Sequence, residues 1–449
     1  MYTQMFRNFI RSGAAIIAVL FILTAGFASL VIGKRYLAKQ QEVIAQTAVH
    51  QQQHISKHVE YFNKETGLLL YYLKFSLVNA PRPLSGLSIG QRDVNPSVRS
   101  VNIRNLENQQ YDTDLSNPSN LLLGNLDLGF VMIYLFPLII IIFTYNIFSE
   151  ETEGGTWNMI RIQAVSPLKL LWHKLLHRAV VVYSLAVVLL LSAIIILQVP
   201  LNITLLAVVC LLVLYLLFWF SLSYWIVSWR KSSGFNAICM LAAWILLTIL
   251  TPTFVNSYIS NAYPVPEALQ TVIKQRQGYH EKWDMDKSVT MEKFYAHYPQ
   301  FRKYQLKGEE FKWLWYYAMQ QIGDDDAAQY SKALEEKLRK REEISARIGM
   351  ALPVLHTQLS LNDLAGSGMK DHLLFQDSVR HFHEKMRLRF YPEIFEERPV
   401  SSIDWSSFTV EYFTAPAGIR WVTLLLPLIV ICTLLSGLAG YNLYRFRQE

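Results

Sequence analysis

The chain has 449 residues, 52% hydrophobic and only 17% charged, too little charge for an ordinary water-facing surface, where about 25% is usual. Aromatics at 13% exclude disorder and collagen-like sequence, and the 3 cysteines (Cys210, Cys239, Cys432) all lie in apolar runs, which excludes a disulfide scaffold or a zinc framework. The formal charge of +7 would suit nucleic acid only if the basic residues gathered in one patch; here many mark the short loops between apolar runs, so no nucleic-acid partner is expected.

About 20 apolar residues cross a bilayer core about 30 Å thick. Before the first such run, Met5, Phe6, Phe9 and Ile10 recur at helical spacing beside Arg7 and Arg11. These residues fit a short amphipathic helix in the membrane interface, and equally a frayed basic terminus. The run itself, about 13–33, is too long for a signal-peptide core and ends in a weak cleavage signal, so it reads as a retained span. Residues 1–33 are thus an N-terminal amphipathic helix with span one.

Residues 34–127 form a first insertion. Leu37, Ile44, Ala48, Ile55, Val59, Phe62, Thr66, Leu69 and Leu73 step by threes and fours, predicting one long helix over 36–76 that packs along another helix. Pro81 and Pro83 end it, and 84–126 reads as loop. Further spans follow at about 128–148, 179–198, 203–227 and 235–255, with a turn at 198–202 and the fifth helix ending near Thr251-Pro252. Residues 128–255 therefore carry spans two to five. A second insertion, 256–420, reads as mostly helical. An aromatic helix over 309–322 is followed by one that Asp324–Asp326 would cap and Pro353 would stop; a third covers about 371–389. No alternating strand pattern stands out. Span six, about 421–443, and a short tail complete 421–449. Pro137 and Pro427 predict kinks in spans two and six. The fold class is an all-α polytopic membrane protein: six transmembrane helices and a mostly helical extracytoplasmic domain built from two insertions.

Orientation follows from the short loops. Arg7, Arg11, Arg161, Lys169, Lys174, Arg178, Arg230, Lys231, Arg445 and Arg447 all fall on one side of a six-span chain. By the positive-inside rule that side is cytoplasmic, with both termini, and the insertions lie outside. The sequence holds no GxxxxGK[ST] or HExxH pattern. The chain is therefore expected neither to bind ATP through a P-loop nor to be an enzyme. His356, His372, His381 and His383 read as solvated or hydrogen-bonded side chains rather than a metal site.

The informative segment is SEETEGGTWNMIRIQAVSPLKLLWHKLLHR, 149–178. Three acids follow span two, Gly154-Gly155 allows a sharp turn, and Trp157, Ile160 and Arg161 fit a short helix hanging between two spans. A plain loop would need neither the tryptophan nor the glycine pair. Here the sequence resembles the permeases of ABC-2 type ABC transporters, whose second span ends in an acidic E-x-E-x-G-T pattern before a coupling helix. The matching residues are Glu151, Glu153, Gly155 and Thr156, with Thr152 and Trp157 where Arg and Leu are commoner. NLDLGFVMIYLFPLIIIIFTYN (125–146), IGQRDVNP (89–96) and LSLNDLAGSG (359–368) resemble a subgroup with two large extracytoplasmic insertions and no assigned substrate.

The resemblance implies a permease subunit of an exporter in a bacterial inner membrane. It implies a separate ABC ATPase carrying ATP and Mg, no cofactor in this chain, and a second permease, identical or paralogous, in contact with membrane lipids. Glu151, Glu153, Gly155, Thr156, Trp157, Ile160 and Arg161 would couple the ATPase to the spans. Two alternatives fit the same sequence: a mechanotransmission subunit acting on a periplasmic partner, and a membrane scaffold or receptor without an ATPase.

Overall fold

In lipid every backbone N–H and C=O must be paired within its own segment, so long apolar runs become helices. The computed structural model describes residues 6–7, 9–110, 125–157, 167–266, 282–306, 308, 310–415 and 418–446; among these, six helices are long and apolar enough to cross a membrane. In chain order the elements are α1 (Gly13–Tyr61), α2 (Thr66–Tyr72), β1 (Phe75–Val78), β2 (Val98–Val101) and α3 (Leu106–Gln110). The four middle spans are α4 (Leu128–Glu153), α5 (Pro167–Leu197), α6 (Ile203–Val227) and α7 (Ser233–Ala262). Then come α8 (Lys287–His297), α9 (Trp313–Gly349), α10 (Pro353–Ala365), α11 (Met369–Phe395), β3 (Glu411–Tyr412) and α12 (Trp421–Phe446). The protein is an all-α polytopic membrane protein with one small sheet.

Two hydrophobic cores divide the chain. The spans share one, centred on Ile22, Phe136, Tyr215, Trp219 and Leu428, and α10 joins it through Val354, Leu361 and Leu364. The other unites the segments on either side of the four middle spans: Ile55, Leu69, Leu70 and Leu73 pack with Phe294, Tyr317, Phe390 and Trp405. Polar bonds tie the same halves, since Gln51 and Gln52 both donate to Phe408 O, at 3.1 and 2.9 Å.

Four expectations are corrected. The helix expected over 36–76 is not one element. α1 runs unbroken from the first span to Tyr61, straight through His50–His54, and the chain turns at 62–65 before α2. The turn lets Thr66 donate to Arg398 O and brings Gly67 so close to Trp313 that a Cβ would sit 2.2 Å from its ring. A straight helix would carry Leu69 and Leu73 away from this core. Strands occur where none was expected: β1 pairs antiparallel with β2 and parallel with β3 in the order β2-β1-β3. They are two to four residues long, too short for alternation to register.

Asp324–Asp326 do not cap a helix of their own; they lie inside the 37-residue α9. The Asp324 carboxylate caps α3 instead, accepting from Leu106 N at 2.9 Å and Glu107 N at 3.2 Å, and pairs with Arg387 at 2.7 Å. Finally, α7 does not end at Pro252. A π turn over Leu246–Leu250 precedes the proline, with Thr251 N bonded to Leu246 O, and the helix continues to Ala262. The wider turn absorbs the ring that an ideal α-helix would exclude.

Candidate functional site

The acids that follow span two stand at the C-terminal, negative end of a helix dipole, so they require nearby cations or donors. α5 supplies the cations because it starts at Pro167, ahead of the span expected over about 179–198, and carries Lys174 and Arg178 one turn apart on the face toward α4. Lys174 Nζ donates to Glu151 Oε1 at 2.6 Å, and the Thr156 hydroxyl donates to the same carboxylate. Arg178 lies 3.8 Å from the more exposed Glu150 and 5.3 Å from the ring of Phe9, which sits edge-on to Phe143. The helical residues around Phe9 thus pack on α4 and α5 at the level of this site.

Glu153 reaches the other way. It accepts from Ser233 N and Ser233 Oγ, both at 2.7 Å, so its charge meets the positive N-terminal end of α7. Ser149 Oγ lies 2.7 Å from Ser233 Oγ as well. Gly155 takes φ +71°, a conformation that favours glycine, and turns the chain so that Trp157 rests half-buried on Phe148, ring centroids 4.7 Å apart. Arg230 stacks over Phe148 at 5.7 Å. Glu151, Glu153, Gly155, Thr156 and Trp157 therefore come together at one place, where α4, α5 and α7 meet. Ile160 and Arg161 lie outside the described residues.

Sequence reasoning missed Lys174, Arg178 and Ser233 as partners of these acids. The four-residue spacing of the two cations was a usable signal; nothing in the sequence marked Ser233.

The span breaks show a second pattern. A proline inside a helix lacks the N–H that would pair the carbonyl four residues before it, and the bend strains the next bond. At Pro137 the carbonyls concerned belong to Ile133 and Tyr134. Tyr215 OH of α6 donates to Ile133 O at 2.6 Å, and Trp244 Nε1 of α7 to Tyr134 O at 3.2 Å. The backbone before Pro137 widens into a π turn, Val131–Leu135. At Pro427 in α12, buried His356 Nε2 bonds Leu424 O at 2.9 Å. Of the other histidines considered for a metal, His383 bonds Arg104 O, His381 bonds Asp377 O and His372 meets Gln376.

The motifs quoted from 89–96, 125–146 and 359–368 also converge. Arg92 donates to Gly366 O at 2.6 Å and Ser88 to Asn362 Oδ1 at 2.7 Å, while Ile89 N bonds the Asp127 carboxylate at 2.8 Å.

Six spans, the second ending in a fastened acidic turn, are the architecture of a multi-pass membrane protein. The family model described as ABC-2 family transporter protein matches residues 3–310, well over half of the chain, and the chain belongs to that family. A second model, a domain of unknown function (DUF3526), matches residues 269–411. No curated protein and no solved structure matches the chain.

Proposed function

We propose that this chain is the permease subunit of an ABC-2 exporter, driven by ATP and Mg bound on a separate ATPase that docks on 150–163. One observation carries the reading: the C-terminal end of α4 is fastened by Glu151 to α5 and by Glu153 to α7. A push on it displaces three spans together. In this reading Trp157 fills an apolar pocket on the ATPase, while Glu151 and Glu153 transmit the push within the chain rather than grip the partner. In this reading this side, with both termini, faces the cytoplasm of a bacterial inner membrane, and the basic short loops support that orientation. A second permease, identical or paralogous, completes the pathway, with lipid around it.

The ATPase encoded beside the gene should co-purify with the chain. Trp157→Ala should weaken that assembly by about 2 kcal/mol, as removal of a buried aromatic anchor does. Glu153→Lys should keep assembly but uncouple hydrolysis, because the α7 contact is lost. Normal assembly and normal permease-dependent hydrolysis in both variants would overturn the reading in favour of a scaffold. A second reading, mechanotransmission to a periplasmic partner, is favoured by the continuity of α1 from the first span into the second core.

A further inference from the structure

α10 belongs by sequence to the long segment between spans five and six, yet it packs in the core of the spans. It lies against α6 and α12, the π turn Val131–Leu135 of α4 and the π turn Leu246–Leu250 of α7. All three proline breaks, at Pro137, Pro252 and Pro427, are therefore in spans that α10 touches, two of them through the wide turn before the proline. Its grip on Pro427 is the His356 bond to Leu424 O at 2.9 Å. Its grip on α4 is Leu361, fully buried, 3.1 Å from where a Gly129 Cβ would stand. Its far end is held by Ser85 Oγ donating to Ala365 O at 2.8 Å and by Ser88 on Asn362. Among the described residues, side-chain contacts hold it to the spans it covers.

We infer that α10 is a removable plug on the span bundle, seated over the three proline breaks and latched by His356, and that the spans bend at those breaks when it lifts. Its purpose rests on the permease reading, but its latch does not. In a closed bundle the plug bars the route between α4, α6, α7 and α12 at the end nearest the second core. Bending a span at Pro427 changes the direction of the Leu424 carbonyl, so the latch and the bend are alternatives.

The test uses the full chain in membrane vesicles with Cys210, Cys239 and Cys432 replaced. Leu361→Cys is labelled with a membrane-impermeant maleimide. Adding His356→Leu should raise the labelling rate about fivefold, equivalent to about 1 kcal/mol at 1.4 kcal/mol per tenfold. Adding His356→Gln, which keeps an N–H donor, should leave it near the starting rate. Equal labelling with His356 and His356→Leu overturns the latch, whatever the ATPase does. In a second arm Gly129→Cys with Leu361→Cys is oxidised to pin the plug, the smaller Cys at 361 leaving room for the Cβ at 129. Permease-dependent ATP hydrolysis should fall and recover with reductant. Full hydrolysis in the pinned protein overturns the plug. If the unpinned protein neither binds nor stimulates an ATPase, the permease reading fails, and the labelling arm alone decides the plug.

Discussion

Glu107 is buried at 6% exposure on the first turn of α3, and its Oε2 has no hydrogen-bond partner among the described residues. Burial, then the neighbouring Asp324, pushes its carboxyl up to about 7, with Arg380 at 4.0 Å only partly offsetting them. An acid whose folded pKa is raised binds its proton more tightly in the folded state. Its stabilising effect is thus full below the ordinary carboxyl value and is lost as pH rises toward about 7. Wild-type protein should therefore lose thermal stability between pH 5 and pH 8, and Glu107→Gln should flatten that part of the curve. Parallel melting curves for the two proteins would disprove the assignment. Asp324 teaches a related lesson at this scale. Its composition announced a cap correctly, but the capped helix lay more than two hundred residues away, a pairing no local spacing reveals.

At the scale of the element, helices long enough to cross a membrane were legible because lipid permits nothing else. Their breaks were half legible. Pro137 and Pro427 were visible, whereas Pro252 read as an end because the π turn that accommodates it has no sequence signature. The turn at 62–65 was hidden inside a stripe that keeps its period on both sides. The acids and glycines at the end of α4 stood out by their pattern, whereas their partners on α5 and α7 did not, since those contacts are made across spans. The proline break in α4 offers a direct energetic test. Tyr215→Phe leaves the Ile133 carbonyl buried without a donor and should cost about 1–3 kcal/mol in detergent unfolding. Pro137→Ala restores a backbone N–H to that carbonyl. In its presence Tyr215→Phe should cost much less, and strictly additive losses would show that the tyrosine does not serve the break.

For the whole molecule, orientation is the claim on which the functional reading turns. Reporter fusions at Ser85 and Gln329 should register outside the cytoplasm, and fusions at Gln163 and after Glu449 inside. An outside signal at Gln163 would remove the ATPase-facing side from the proposed site. The union of the two long segments into one domain was anticipated from the stripe Ile55–Leu73, which would otherwise face water; the sheet and the shared bonds to Phe408 O were not, since they arise from contacts distant in sequence.

α1 also has a mechanical meaning. Its 49 residues pass Gly33 against Gly86, where a Cβ on Gly33 would lie 2.0 Å from Gly86 O, so two backbones touch with nothing between them. A rigid tilt of α1 about that contact would make it a lever. At 1.5 Å per residue the arm within the first span is about 30 Å long, and the arm beyond Gly33 about 42 Å. A tilt of about 5° around the fulcrum swings Tyr61 through about 4 Å, a larger stroke than the span itself makes. Gln51 and Gln52 grip the second core partway along the outer arm, where such a tilt would be felt as a lateral sweep.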